Sequence, residues 1–254
     1  MTRPPSVPPR PSDPAPAGGK SNTGIIIGIV IAVVIIVAAV VAILLTQGSG
    51  DDDVADVELQ EGSGPSNQQE PIDPAAATQE TAAVQIDGSP LPELADPGND
   101  PAVGMQAPSL VGESFDGSVV EIVPDGQLKA VAFLAHWCPH CQKEVPEMVE
   151  LIEKGNWPAD VAFYAVATGT DEGQPNYPPS EWMATEGLTA RVMVDDENSA
   201  AAQAYGLPGF PYWVFLDGDN KVVARVSGEI GQEGLQQYLD ELSDAGATTT
   251  TAAQ

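Results

Sequence analysis

The sequence predicts an α/β domain, a mixed sheet flanked by helices, preceded by a single transmembrane helix. Three observations predict this. Residues 24–45 form an unbroken run of Gly, Ile, Val, Ala and Leu without a charge. Beyond residue 109, short apolar runs of strand length alternate with segments of helical pattern. The two cysteines of the chain, Cys138 and Cys141, lie with its two histidines, His136 and His140, at one strand-to-helix junction.

The apolar run is long enough to cross a bilayer, because about 20 helical residues span the roughly 30 Å hydrocarbon core. A secretory signal has a shorter apolar region, typically about 7–15 residues. Residues 46–50, Thr-Gln-Gly-Ser-Gly, are also a poor small-x-small cleavage site, so an uncleaved signal-anchor is expected. The run contains no cysteine, which excludes a lipoprotein anchor there. Arg3, Arg10 and Lys20 precede it and Asp51, Asp52 and Asp53 follow it. Positive charge stays on the cytoplasmic side. Residues 1–23, rich in Pro, are thus expected to be a disordered cytoplasmic tail, with everything after 46 outside the cell membrane.

Charge divides unevenly about the run. Of nine basic and 37 acidic residues, three basic ones and Asp13 precede it, so six against 36 follow, a net −30. Such a field repels nucleic acid, which is excluded as a partner. It chiefly serves solubility, with an acidic patch for a basic partner as the minority reading. Residues 46–81 are poor in aromatics and rich in Asp, Glu, Gln, Gly and Pro, and read as an acidic disordered linker. A coil of that length reaches about 30–36 Å. Residues 82–243 read as the folded domain, with 82–108 as an extended arm: residues 84–88 suggest a short strand and turn, followed by a Pro-rich stretch laid on the domain. Residues 244–254 read as a disordered Thr-rich tail.

Within the domain, 118–123 alternates as a half-buried strand does, and 129–135 and 161–167 are apolar runs suited to buried central strands. A helix should start at the cysteine motif and continue to about 154, with Pro146 inside it to kink it. Residues 179–186 and 199–205 read as helical and 191–194 as extended. Residues 211–216 and 222–227 form a hairpin about Asp217-Gly218-Asp219-Asn220, a strong turn signal. Residues 231–242 form a terminal helix with Leu235, Tyr238, Leu239 and Leu242 on one face.

Outside the cell a cysteine pair is usually a structural staple, but a staple across so short a loop constrains the unfolded chain little. Zinc fits poorly as well, because four ligands so close in sequence do not make a relaxed tetrahedral site. Redox cycling suits the spacing better. The helix N-terminus aims free N–H groups and its positive dipole end at Cys138, stabilising the thiolate that attacks a disulfide. Cys141, one turn on, resolves the mixed disulfide. Neither a metal nor a cofactor is expected.

His136-Trp137-Cys138-Pro139-His140-Cys141 after a buried strand resembles the active site of the thioredoxin-like superfamily. Ala107-Pro108, Asp116-Gly117, Lys143-Glu144-Val145-Pro146 and Gly209-Phe210-Pro211 resemble landmarks of its TlpA-type branch, over roughly residues 100–243. The resemblance implies a thioredoxin-like fold and thiol–disulfide exchange with protein thiols and disulfides, with a membrane redox partner conceivable. It makes Pro211 the candidate cis-proline, with the backbone of Phe210 pairing with substrate. Phe210 departs from the small or β-branched residue usual there, and Ala132 stands where thioredoxin has a buried acid. Peroxidase chemistry is disfavoured, since Ala135 replaces the threonine that peroxiredoxins place three residues before the reactive cysteine. Trp137 is expected to pack beside the motif, while Trp157, Trp182 and Trp213 read as packing residues. His136 reads either as tuning the site or as exposed and inert.

The direction of electron flow divides the readings. Pro139-His140 resembles the dipeptide of DsbA, an oxidant about 150 mV above thioredoxin, a gap of about 7 kcal/mol. Lowering a thiol pKa from about 8.5 to 3.5 supplies about as much. An exposed Cys138 with its thiolate stabilised by His140 and the helix end therefore points to an oxidant. The TlpA-type scaffold implies a reductant, for instance in cytochrome maturation. A non-catalytic thiol-binding or chaperone module is the third reading. As for topology, protease added to spheroplasts should digest the catalytic domain; a domain protected until the membrane is dissolved would overturn the orientation.

Overall fold

The computed structural model describes residues 71–252. The expected cytoplasmic tail, the span at 24–45 and residues 46–70 of the linker lie outside the described residues. Among the described residues, no helix is long and apolar enough to cross a membrane.

The domain is built on a mixed sheet. In chain order its strands are β1 (Gln85–Asp87), β2 (Ser109–Glu113), β3 (Val119–Ile122), β4 (Leu128–Leu134), β5 (Val161–Ala167), β6 (Arg191–Val194), β7 (Tyr212–Leu216) and β8 (Val222–Ser227). The spatial order is β1-β2-β6-β5-β4-β7-β8, with β3 paired to β2. β4 runs parallel to β5, and β5 to β6, while β7 and β8 are antiparallel to their neighbours. The helices are α1 (Pro139–Glu153), α2 (Pro179–Thr185), α3 (Ala200–Ala204) and α4 (Gly231–Ala252). This is a thioredoxin-like arrangement, with the cysteine motif joining the central strand β4 to α1.

The apolar runs become central strands because both faces of the sheet are covered. Every residue of β4 and of β5 is buried. Their side chains alternate between two cores, as the two-residue period of a strand requires. Ala130, Ala132 and Leu134 face the side packed by α1, α2 and α4. Val131 and Phe133 face the side packed by α3, Tyr205 and the 89–108 arm.

The sequence left four features unread. Ser109–Glu113 is a strand. Residues 71–81, assigned by composition to the disordered linker, lie on the domain. Pro71 bridges Thr189, the backbone N–H of Thr78 donates to the Phe115 carbonyl at 2.8 Å, and Glu80 accepts from the Ser180 N–H at 3.0 Å and from its hydroxyl at 2.5 Å. Composition missed this because the segment is held by backbone and capping contacts more than by buried apolar bulk. At the other end, α4 runs to Ala252 instead of ending at 242. The fourth is a second cis peptide bond, Tyr177-Pro178, beside Phe210-Pro211.

The arm is fastened by one buried ion pair. Arg225 of β8 donates to Asp100 through Nε at 2.8 Å and Nη2 at 2.5 Å, while Nη1 reaches the carbonyls of Pro92 at 2.9 Å and Tyr205 at 3.1 Å. Its side chain is 0% exposed and that of Asp100 1%. Gly206, at φ +73°, lets the arm pass, because a Cβ there would collide with the Pro92 carbonyl. Burial by itself raises the Asp100 carboxyl, but hydrogen bonds from Arg225 and the Ala102 N–H, with the Arg225 charge, hold it below the usual carboxylate range. Removing one partner of a buried pair typically costs about 3–5 kcal/mol. Asp100→Asn should therefore lower stability by about that amount in urea denaturation. Because the folded pKa is depressed, the Asp100 contribution is present above the ordinary carboxylate pKa of about 3.9 and is lost as pH falls through the folded value. The wild-type chain should thus lose stability in acid more steeply than the Asp100→Asn variant.

Candidate functional site

The site is assembled where β4 gives way to α1. The strand ends at Leu134, and the backbone N–H of Cys138 closes the turn onto the Ala135 carbonyl at 3.0 Å. Cys138 is the N-cap, in an extended conformation, and Pro139 occupies the first turn. Proline suits that position because its φ is helical and an N–H there has no intrahelical acceptor. The free N–H groups of the first turn point toward the Cys138 end of the helix.

Both cysteines are free thiols. Cys141 is fully buried. Burial pushes its thiol far above the ordinary range, and the charges of Cys138 and Glu144 push it in the same direction. Cys138, expected to be exposed, is only 6% exposed. The reason is tertiary: the loop before β7 closes over it, and its Sγ lies 3.7 Å from the Phe210 carbonyl. The Phe210-Pro211 bond is cis. Trp137 packs edge-on against the Phe210 ring at 5.7 Å and donates through Nε1 to the Gly169 carbonyl at 2.7 Å. Gly169, at φ +63°, fits beneath both rings; a Cβ there would sit 3.4 Å from the Phe210 ring.

The two histidines occupy places the sequence did not foresee. His140, expected to stabilise the Cys138 thiolate, has a side chain 61% exposed and bonds through Nδ1 to Glu229. Lys143 joins the same carboxylate oxygen at 3.2 Å. His136 is 1% exposed, so the reading as an exposed, inert residue is corrected. Its Nε2 accepts the Asp171 N–H at 3.2 Å, which leaves Nδ1 to donate to the Pro175 carbonyl at 2.7 Å. Its own carbonyl accepts from Gln142 and Asn176, each at 3.1 Å. His136 thus ties the 171–176 loop to the motif. Trp157, Trp182 and Trp213 are packed in or against the core, as expected.

One functional group escaped the sequence reading. Ala132 does lack a carboxylate, but Glu144 supplies one from the helix side. It is 2% exposed, accepts from Trp213 Nε1 at 3.2 Å, and accepts the N–H groups of Ile230 and Gly231 at 3.2 Å each. Burial raises its carboxyl above the usual range, and these three donors only partly offset that. The signal was available: Glu144 stands in the buried stripe Cys141, Val145, Met148, Leu151 of α1, where a carboxylate needs a reason. A buried acid of raised pKa within a helical turn of a buried thiol can exchange a proton with it.

Fold and cysteine pair together define a thioredoxin-like thiol–disulfide oxidoreductase. The chain belongs to the Redoxin family, whose model matches residues 102–242. It is 28% identical over 142 residues to the thiol-disulfide oxidoreductase ResA of Bacillus thuringiensis (strain Al Hakam), covering 56% of this chain and 79% of that protein. It is 26% identical over 147 residues to the thiol:disulfide interchange protein DsbE homolog of Paracoccus denitrificans, covering 56% of this chain and 76% of that one. The crystal structure of StoA from Bacillus subtilis matches at 20% identity and a TM-score of 0.44, over 54% of this chain and 98% of that one.

Coupling of Glu144 to the inner thiol is open to direct measurement. In a Cys138→Ser chain Cys141 is the sole thiol, and its ultraviolet thiolate absorbance should develop at lower pH when Glu144 is also replaced by Gln. An unmoved midpoint would show that Glu144 serves packing alone.

Proposed function

We propose that the chain is an extracytoplasmic, membrane-tethered thiol–disulfide oxidoreductase that acts on protein disulfides as a reductant through Cys138 and Cys141. The apolar run at 24–45 and the charges flanking it support the tether and the side of the membrane. The observation that carries the chemistry is the placement of the Cys138 sulfur at the α1 N-terminus, 3.7 Å from the Phe210 carbonyl, with Cys141 buried behind it.

In this reading the Cys138 thiolate attacks a substrate sulfur. The substrate disulfide breaks and its leaving sulfur departs as a thiolate that takes up a proton. Cys141 then gives up its proton and attacks the Cys138 sulfur, releasing the second substrate thiol and leaving the Cys138–Cys141 disulfide. Cys141 is held protonated by its burial, so this second step needs a proton acceptor, and Glu144 is the group in place for it. Phe210 and Pro211 present the backbone on which the substrate chain docks, and Trp137 walls the cleft. Pro139 opens the helix without donating to Cys138.

Direction follows from which form the site stabilises. A stabilised thiolate favours the dithiol and makes the disulfide oxidising. Three features work against such stabilisation here: His140 is engaged by Glu229, Glu144 shares the buried stripe of α1 with Cys141, and Cys138 is largely covered. The oxidant reading keeps one supporting observation, the position of Cys138 at the helix start.

Two measurements test the proposal. Replacing Cys138 by Ser should abolish insulin reduction, whereas a binding module would show none even in the wild type. Equilibration with glutathione should place the wild-type pair near or below about −270 mV, the thioredoxin value, rather than near the −120 mV of DsbA. A value in the DsbA range would make the chain an oxidant.

A further inference from the structure

Five consecutive residues, from the end of β8 to the start of α4, each bond to a part of the redox site. The Ser227 hydroxyl donates to the Gly209 carbonyl at 3.0 Å, and the Gly228 N–H donates to the Pro211 carbonyl at 2.8 Å. The Ile230 and Gly231 N–H groups donate to Glu144 at 3.2 Å each. Between these two pairs of anchors stands Glu229, whose Oε1 takes both the Nδ1 of His140 and the ammonium of Lys143. The segment 227–231 thus holds the Pro211 loop with its first two residues and the buried acid with its last two. Its central side chain bonds to the motif helix.

We infer that Glu229 is a positioning residue that sets the reduction potential of the Cys138–Cys141 pair by holding His140. The inference rests on the redox reading above. His140 lies between the two cysteines in sequence, so its imidazole N–H is the mobile donor best placed to stabilise a Cys138 thiolate. Glu229 opposes that in two ways. Its carboxylate fixes the ring through Nδ1, on the solvent side of the helix. It also sets a negative charge against the ammonium of Lys143, which reduces the field that ammonium projects onto the sulfur. Hydrogen bonds from His140 and then Lys143 hold the Glu229 carboxyl below the usual carboxylate range, so that negative charge persists through neutral pH. The side chain of Glu229 is 34% exposed, and the backbone of the segment is fastened independently through its neighbours. Glu229→Gln therefore removes the charge and leaves the scaffold in place.

The consequence is a change in an equilibrium. Two glutathione thiols reduce the Cys138–Cys141 bond to two thiols, become one glutathione disulfide, and pass their two protons to the protein. Loss of the Glu229 charge favours the dithiol side, because the His140 ring, released from the carboxylate, can turn an N–H toward a Cys138 thiolate. In the full-length chain, Glu229→Gln should raise the equilibrium constant for reduction of the protein disulfide by about threefold to tenfold, or about 15–30 mV. The same substitution made in a His140→Ala chain should change it by less than about twofold, which a merely structural role for Glu229 does not predict. Urea midpoints are read alongside; should Glu229→Gln fail to fold, Glu229→Ser in the same two backgrounds gives the comparison.

A wild-type chain that cannot be reduced by glutathione and is silent toward insulin would fail the redox reading itself. A wild-type chain that turns over, with Glu229→Gln within about twofold of it or shifted the other way, overturns the inference alone. A full shift that persists without His140 overturns it as well, since Glu229 would then act without the ring.

Discussion

A buried carboxylate organises this site. Glu144 lies in the packed stripe of α1, where an unpaired carboxylate costs several kcal/mol. The fold offsets that cost with three donors drawn from two other elements, the Trp213 indole of β7 and the two N–H groups that open α4. Satisfying one charge thus fixes where the helix bearing the cysteines stands against the strand that follows the Pro211 loop. It also leaves a group of raised pKa in the neighbourhood of the inner thiol. The contacts that relieve the acid adjoin those that shape the redox site.

The rest of the cleft follows from that anchorage. Once the start of α4 is fixed on Glu144, the preceding residues Ser227 and Gly228 can grip Gly209 and Pro211. That brings the Phe210 carbonyl over the Cys138 sulfur. Trp137 and Gly169 complete the wall from the other side, and His136 fastens the 171–176 loop behind it. The polar groups here are used in pairs and relays across elements distant in sequence. Such networks reward a single arrangement and penalise partial ones.

Where backbone pattern decides structure, the sequence was legible. The runs at 129–135 and 161–167 became β4 and β5 within a residue, and 191–194 became β6 without adjustment. Helix α1 began at the motif, because a proline at the first helical position, after a strand of continuous apolar residues, leaves few alternatives. Composition misled at 71–81, whose order depends on Glu80 reaching the start of α2 a hundred residues away. Residues 109–113 were missed as a strand because Gly112 and Glu113 weaken the pattern and the order comes from pairing with β1 and β3.

The sequence by itself determined the chemistry: two cysteines three apart at a strand-to-helix junction, a proline to start the helix, and an α/β pattern to carry them. These are local features, set by periodicity and by the few conformations a short segment can adopt. Tertiary structure alone decided the electrostatics. It placed His140 on Glu229, 89 residues away in sequence. It brought three donors to Glu144, and it drew the Phe210 carbonyl over Cys138. The physical reason is range. Helix and strand preferences act over a few residues, whereas the potential at a sulfur depends on every charge and dipole folded around it, most of them contributed by distant parts of the chain.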